Sequence, residues 1–334
     1  MADETEILTA LFAASSGLAG NPGWPHVLDL LAQETRATAV WLDYDRQGNG
    51  THWQSGDGEH PPLDREELQR MRSNRVYAQG DLPGLWDRSL PLRAIRCPAS
   101  PGGTATLMLQ RRGEDFRATA SALLSTLAPF LGPALVTWAA LQRERRQAAL
   151  CSEIARDLGA GWILLSAGAT VLDLSPGLTA PLETLTGLRI AGDGRMSFRD
   201  ETTGPAFRQA LATAASGKAA LVVLSEEPRV EMVLTEERQE GERMFLGRVR
   251  HARQAGDLPP PALARYLGLP PAETRLAAQL CDGRTLIEAA AETGKTIETT
   301  RSSSKQVFAR MGLRNQQDVV RRMHSGAMWF LDRP

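Results

Sequence analysis

The spacing of hydrophobic residues changes once along the chain, near residue 262. Before that point, short segments alternate apolar and polar residues between Gly- and Asp-rich turns, which predicts strands, and amphipathic segments between them predict helices. After it, only helical spacing remains. The pattern therefore predicts a multidomain protein in which two α+β domains with antiparallel sheets precede an all-α domain of four helices.

The elements of the two α+β domains can be placed individually. In the first domain, we predict helices at 24–35, 64–73 and 116–135 and strands at 38–45, 50–56, 92–98 and 104–112. In the second domain, we predict two strands with a tight turn and short helices within 160–190, then strands at 219–225, 229–237 and 243–251. The Ala-, Leu-, Arg- and Gln-rich segment between them predicts a connecting helix that could serve as a dimer contact.

Helix-capping signals divide the last part of the chain into helices. Thr285 and Glu288 have the spacing of a capping box, and Thr296 and Asn315 stand at N-cap positions. Glycines follow the ends of the first three helices, at positions 283, 294 and 312. Two short helices joined by a tight glycine-containing turn, inside a small helical domain, are typical of a helix-turn-helix.

The third of these helices has two different faces. At about 100° per residue, one side carries the residues that can pack on the other helices: Ile297, Thr300, Ser304, Val307, Phe308 and Met311. The other side is polar and lightly basic, and consists of Glu298, Ser302, Lys305, Gln306 and Ala309, with Arg301 at its flank. Such a face fits a DNA major groove, and it equally fits an ordinary solvated surface.

Charge distinguishes this region from the rest of the chain. The segment 295–322 carries seven basic and two acidic residues, so its net charge is +5, whereas the whole chain of 334 residues has a net charge of −1. The remainder is therefore acidic, at −6. A basic patch on an acidic protein indicates an anionic partner that is bound at one end.

The segment from about residue 263 to 322 resembles the LuxR-type (GerE-like) helix-turn-helix of bacterial transcription regulators. The residues that carry this resemblance are Leu269, Glu273, Gly283, Thr285, Glu288, Ala290, Thr299, Val307, Phe308, Gly312 and Val320. Lys295 departs from the pattern, because the family usually has an apolar residue there, and Ser303 replaces a common histidine.

The resemblance implies how this domain would contact DNA. It implies base contacts from Arg301, Ser302 and Lys305, and the neighbouring Glu298 and Gln306 share their face. Phosphate contacts would come from the starts of the second and fourth helices. The residues implied for them are Thr285, Asn315 and Gln316, and Lys295 would add a further contact. The fourth helix would supply the dimer contact through Val319, Arg322 and Met323.

The upstream domains resemble sensory modules. The order of elements in the first is similar to a GAF domain, and that in the second is similar to a PAS domain. We therefore predict a GAF-like domain at 1–134, a connecting helix at 135–158, a PAS-like domain at 159–250, a linker at 251–262 and the helix-turn-helix domain at 263–334. The Pro triplet and Pro pair within 251–271 mark the linker.

The sequence contains no recognisable catalytic or metal-binding motif. The five histidines and three cysteines make no metal-ligand spacing, and no phosphate loop or nucleophile elbow is present. We therefore predict no enzyme activity, no catalytic residues, no metal site and no cofactor. The uncharged segment between Arg117 and Arg143 is long enough to span a bilayer, but its prolines and hydroxyl residues predict a buried soluble helix.

These patterns predict a cytoplasmic transcription regulator that binds double-stranded DNA as a homodimer, with RNA polymerase as a further candidate partner and no membrane association. Whether the sensory-type domains bind a small molecule stays open. The main alternative is an interaction protein whose helix-turn-helix docks on polymerase or another regulator instead of reading DNA. An enzyme with a regulatory tail is a second alternative, which the absence of a catalytic motif disfavours.

Overall fold

The structure is a computed structural model. It describes residues 4–18, 20–46, 48–60, 68, 70–82, 90–99, 103–239 and 241–331. The chain divides into two compact units, Met1–Ala148 and Ala149–Pro334. Each unit contains a five-stranded antiparallel sheet with helices, and the second also contains a group of helices at its C-terminal end. The chain is therefore an α+β protein with an all-α C-terminal part.

The sheet of the first unit has its strands in the order β2-β1-β5-β4-β3, with antiparallel neighbours throughout. The strands are β1 (Ala39–Arg46), β2 (Asn49–Gly56), β3 (Val76–Ala78), β4 (Leu92–Ala99) and β5 (Gly103–Gln110). The helices are α1 (Glu4–Ser16), α2 (Gly23–Thr35) and α3 (Ala118–Asp157). Helix α1 and strand β3 are not among the elements that the sequence pattern predicts. Half of the predicted helix 64–73 (64–67 and 69) lies outside the described residues; of the other half, 68 and 70 are helical and 71–73 are not.

Both faces of this sheet carry buried side chains, because residues of alternate parity point to opposite sides of each strand. One face packs with α1, α2 and the first half of α3 around Val40, Leu42 and Leu107. The other face forms a smaller cluster that includes Trp41 and Met108. Strands β1 and β5 are therefore buried at consecutive positions rather than at every second one.

Helix α3 runs without interruption through Pro129 and Pro133 and past residue 134, which the sequence pattern predicts as the end of the first domain. Its first half is anchored by packing, because Leu124, Leu127 and Leu131 are buried in the core of the first unit. A side chain at position 132 would collide with the backbone of β4, so Gly132 permits this close approach. The lost proline hydrogen bonds are local and do not end the helix.

Among the described residues, α3 is also the helix that is long and apolar enough to cross a membrane. Its most apolar 18-residue window has a mean hydropathy of 1.5, and 44% of that window is buried inside the protein. The buried part belongs to the core of the first unit.

The sheet of the second unit has the order β10-β11-β12-β6-β7. Its strands are β6 (Ala160–Ser166), β7 (Val171–Leu174), β10 (Ala220–Glu226), β11 (Arg229–Gln239) and β12 (Glu242–His251). Between β7 and β10 lie α4 (Thr179–Thr186), the two-residue strands β8 (Arg189–Ile190) and β9 (Met196–Ser197), and α5 (Thr203–Ala214). One face of the sheet packs on α4 and α5 around Ile163, Met232 and Phe207. The opposite face is more open, with Leu221 and Leu172 exposed.

The C-terminal helices surround a third core. They are α6 (Pro260–Leu267), α7 (Pro271–Cys281), α8 (Leu286–Thr293), α9 (Ile297–Met311) and α10 (Gln316–His324). Their buried side chains include Leu263, Leu280, Val307 and Met328.

The predicted linker 251–262 is structured. It contains a 3-10 turn, Ala255–Asp257, and the start of α6. Ala255 and Leu258 are buried in the C-terminal core, and the backbone N–H of Gly256 donates to the carboxylate of Asp282 at 3.0 Å. The proline-rich composition therefore misplaces the boundary, because these apolar residues already belong to the helical domain.

Candidate nucleic-acid interface

The third helix of the predicted helix-turn-helix, α9, is held at both ends by caps. The Thr296 hydroxyl accepts a hydrogen bond from the backbone N–H of Thr299 at 3.2 Å, and Gly312 ends the helix in the left-handed conformation at φ 67°. Both features are those that the sequence predicts.

The inner side of α9 packs against the other helices. Thr300, Ser304 and Val307 are buried, and the hydroxyl of Ser304 donates to the carbonyl of Arg301 at 2.9 Å. The small Ser304 side chain therefore satisfies its own polar group within the helix. Three consecutive serines are tolerated because only this one lies in the core while its neighbours face outward or sideways.

The outer side of α9 brings the predicted base-reading residues together on one exposed face. Glu298, Arg301, Ser302, Lys305 and Gln306 are all exposed. Within the described part of the chain, the side chains of Arg301 and Lys305 make no hydrogen bond or ion pair. Two cations one helical turn apart are thus presented to solvent without internal partners.

Arg310, on the last turn of α9, forms an ion pair with another helix. Its Nε lies 3.1 Å from Oε2 of Glu273 on α7, whose side chain is only 12% exposed. This ion pair connects the end of α9 to the neighbouring helix. Arg310 therefore positions α9, and it is not one of the cations that face outward unpaired. The charge of Arg310 is evident from the sequence, but its ion pair with Glu273 is not.

Lys295 lies in the turn that separates α8 from α9. Its backbone N–H donates to the carbonyl of Ala290 at 3.0 Å, which closes the end of α8, and its side chain is exposed. Lys295 therefore adds an exposed cation directly before the start of α9.

The start of α8 is closed by its own side chains. The backbone N–H of Thr285 donates to Oε2 of Glu288 at 2.8 Å, and the N–H of Glu288 donates to the Thr285 hydroxyl at 3.2 Å. This is the capping box that the sequence predicts. The bonds from Thr285 hold the pKa of the Glu288 carboxyl below its usual value. A negative charge therefore already occupies this helix start.

The start of α10 is closed in a similar way. The Asn315 side chain accepts from the backbone N–H of Asp318 at 2.9 Å, and Asp318 Oδ2 accepts from the N–H of Arg314 at 3.2 Å. The Gln316 amide donates to the carbonyl oxygens of Arg284 at 3.1 Å and Leu280 at 3.4 Å. The side chains predicted to contact phosphate thus have structural partners inside the domain.

The predicted dimer contacts of the fourth helix are separated by the fold. Val319 and Met323 are fully buried in the C-terminal core, whereas Arg322 is exposed. The prediction is therefore wrong for Val319 and Met323. Apolar residues at a spacing of four on a short helix face the core first, because that core has few other side chains to fill it.

Sequence analysis also misses the residue that connects the C-terminal end of the chain to the rest of its unit. The Arg253 guanidinium donates to the carbonyl of Trp329 at 2.9 Å and lies 5.6 Å from its ring centroid. It also donates to the carbonyl of Asp157 at the end of α3. A buried arginine that joins three separate segments has no local sequence signal.

The cysteines do not provide an alternative chemistry. Burial raises the pKa of the Cys97 thiol to about 12, and burial together with the nearby Asp282 carboxylate does the same for Cys281. Both thiols are therefore protonated and unreactive near neutral pH. Cys151 is exposed on α3.

Comparisons with known proteins give fold-level likenesses at low similarity. No protein-family model and no curated protein matches the chain. The Escherichia coli DhaR(N)–DhaL complex is similar over 74% of this chain and 87% of that chain, at 13% identity and a TM-score of 0.33. A GAF domain of a sensor histidine kinase from Pseudomonas syringae pv. tomato covers 45% and 92%, at 15% identity and a TM-score of 0.29.

A third neighbour is the VqmA dimer of Vibrio cholerae, described as a LuxR-type receptor. It covers 53% of this chain and 85% of that chain, at 15% identity and a TM-score of 0.24. All three TM-scores are below 0.5, so these likenesses do not indicate a function for this chain.

Proposed function

We propose that the protein is a DNA-binding transcription regulator whose C-terminal helices read a specific duplex site. The observation that carries the proposal is the outer face of α9, where Arg301 and Lys305 are exposed and have no partner within the described chain. Arginine and lysine donate to guanine in the major groove, and the short side chain of Ser302 between them allows close approach. The net charge of +5 over 295–322 adds attraction to phosphate.

The N-termini of α8 and α10 are capped by neighbouring side chains, so we expect other residues to bind phosphate. Because Glu288 and Asp318 occupy these helix N-termini, we assign the phosphate contacts to flexible cations beside the reading face rather than to Thr285 or Gln316. Lys295 is one such cation, and Arg314 is another, exposed just before α10. Each such contact adds to the salt dependence of binding.

The two α+β parts would then be the input modules, the first GAF-like and the second PAS-like, in a cytoplasmic protein. In chain order, each of the two five-stranded sheets has the arrangement second-first-fifth-fourth-third. A shared strand order supports a pair of related sensory folds, and a fold alone does not specify a ligand. Contact with RNA polymerase would be a further output of the same domain.

We propose that the dimer forms through the C-terminal part of α3, in place of Val319 and Met323. Leu150 and Ile154 are exposed one turn apart on α3, and the exposed Leu158 follows directly after its end, so the three form an apolar stripe. A second copy of the chain can cover this stripe. Sedimentation of the full chain should show a dimer, and Ile154→Glu should shift it to monomer. An unchanged dimer in the variant would place the contact elsewhere.

The proposed function is tested by capturing sheared genomic DNA with the purified full-length protein at low and near-physiological salt, followed by sequencing. We expect peaks that share a motif and that disappear in the Arg301→Ala/Lys305→Ala double variant. Arg265→Ala/Arg275→Ala, which removes two exposed arginines from α6 and α7, serves as the charge-matched control and should retain the peaks. Loss of peaks in the control as well would mean that charge alone drives binding.

The docking alternative makes a different prediction in the same experiment. If the domain binds polymerase or another regulator, DNA enrichment stays weak and uniform at both salt concentrations. Purified RNA polymerase would then bind the wild-type protein and lose binding in the double variant. Phosphate contacts, by contrast, give an affinity that falls steeply as salt rises.

A further inference from the structure

Two histidines and an aspartate converge at the edge of the first unit's sheet. Asp43 lies on β1, and His52 lies directly opposite it on the edge strand β2. His60 belongs to the segment that follows β2. One ligand atom from each side chain lies within 4.8 Å of the other two. We propose that this cluster, Asp43, His52 and His60, binds a divalent transition-metal ion.

The ligand atoms are already close to a coordination geometry. His52 Nδ1 lies 2.6 Å from Asp43 Oδ1, and His60 Nε2 lies 2.9 Å from Asp43 Oδ2. Zinc binds imidazole nitrogen at about 2.0–2.1 Å and carboxylate oxygen at about 2.0–2.2 Å, which places neighbouring ligand atoms roughly 3.4 Å apart. To admit the ion, the two histidine–aspartate pairs would open from 2.6 and 2.9 Å toward this spacing, and each imidazole nitrogen would bind the ion in its deprotonated form.

The backbone around the cluster holds the three side chains in place. The antiparallel register fixes Asp43 against His52, and the Gln54 amide donates to the carbonyls of Gly56 at 3.1 Å and Gly58 at 2.9 Å. A side chain at Gly58 would come within 2.7 Å of the buried Trp41 ring, so glycine lets the segment pass closely over β1.

The ligand types select the class of metal. Two imidazoles and one carboxylate suit Zn²⁺, Fe²⁺, Ni²⁺ or Cu²⁺, whereas Mg²⁺ and Ca²⁺ prefer all-oxygen sites. The side chains are 43% exposed for His52, 40% for His60 and 28% for Asp43. An ion held here would therefore be open to solvent and would keep positions for water or an exogenous ligand, as metal sites with three protein ligands do.

The test is a zinc titration of the tag-free full-length protein in competition with a chromogenic chelator. A Cys151→Ser background removes an exposed thiol that could also bind zinc. We expect one tight equivalent of Zn²⁺ per chain, which excess Mg²⁺ does not displace. His52→Ala, His60→Ala and Asp43→Asn should each weaken binding at least about tenfold. The control His26→Ala, which alters a histidine of α2, should bind as the parent does.

A second readout identifies the coordinating atoms. Imidazole ¹⁵N resonances should show zinc at Nδ1 of His52 and at Nε2 of His60, since these nitrogens face Asp43. Excess zinc should raise the melting temperature of the parent but not of Asp43→Asn, a nearly isosteric change that keeps the fold. The proposal is overturned if zinc binds no more tightly to the parent than to the variants, or if other nitrogens coordinate it.

Discussion

The outer face of α9 and the N-terminal turns of α8 and α10 lie in the same helical domain but use their polar side chains in opposite ways. On α9, Arg301 and Lys305 are exposed and have no partner within the described chain. At the helix starts, Thr285 and Asn315 are engaged in caps. The cations of α9 are therefore available to a partner, whereas the hydrogen bonds of Thr285 and Asn315 stabilise the starts of α8 and α10.

This difference shows why a helix start is not automatically a phosphate site. Free N–H groups and the helix dipole favour an anion there. In this domain Glu288 and Asp318 already supply that anion, so a phosphate would have to approach like charge. An unpaired cation on a helix face has no such competitor and keeps its full attraction for DNA.

The largest effect is expected on the exposed face of α9. Arg301→Ala and Lys305→Ala should each weaken binding to the specific duplex by about 1–3 kcal/mol, because each removes a base-edge donor. Fluorescence anisotropy with the captured sequence measures this loss. Thermal unfolding should be unchanged, since both side chains are exposed and make no hydrogen bond or ion pair with the described residues. A shift in unfolding temperature as large as that of a core variant would contradict the assignment.

A smaller effect of the opposite kind is expected at the start of α8. Thr285→Ala should lower the free energy of unfolding by about 0.5–2 kcal/mol, because the N–H of Glu288 loses its acceptor. Thr285→Ser keeps the hydroxyl and should recover most of the loss. Under conditions where both variants are folded, DNA affinity and its salt dependence should match wild type. A reduced salt slope for Thr285→Ala would instead reveal a phosphate contact.

The smallest effect is a pH dependence of the same cap. The folded-state pKa of Glu288 lies below its usual value of 4.5, chiefly because the backbone N–H of Thr285 binds the ionised form. The ionised Glu288 carboxylate therefore stabilises the fold at neutral pH. This stabilisation is lost as the pH falls below 4.5 and through the folded-state pKa. Wild type should melt slightly above Glu288→Gln at neutral pH, and the two should converge in acid. A difference in melting temperature between the two proteins that grows as the pH is lowered would contradict this assignment.

Local sequence signals predict the C-terminal helices well. The capping box at Thr285 and the N-caps at Thr296 and Asn315 have the geometry that their spacing indicates. These features depend on contacts within four residues of each other. Strands β1, β2, β4 and β5 likewise coincide with strands predicted between Gly- and Asp-rich turns.

Features that depend on distant residues are the ones that sequence analysis misses. The spacing of Asp43, His52 and His60 fits no metal motif, and only the strand register and the glycine-containing segment bring them together. Val319 and Met323 are assigned to a dimer surface by the family resemblance, which does not show that the core of this chain buries them. Composition also misplaces the linker, since it cannot show that Ala255 is buried.

The most direct test of the proposed reading face is the specificity ratio of the full-length protein. Affinity is measured for a captured duplex and for the same duplex with its motif shuffled, at one salt concentration, using wild type and the Arg301→Ala/Lys305→Ala variant. We predict a large ratio for wild type and a ratio close to one for the variant. A variant that loses affinity equally for both duplexes, with its ratio intact, would contradict base reading by α9.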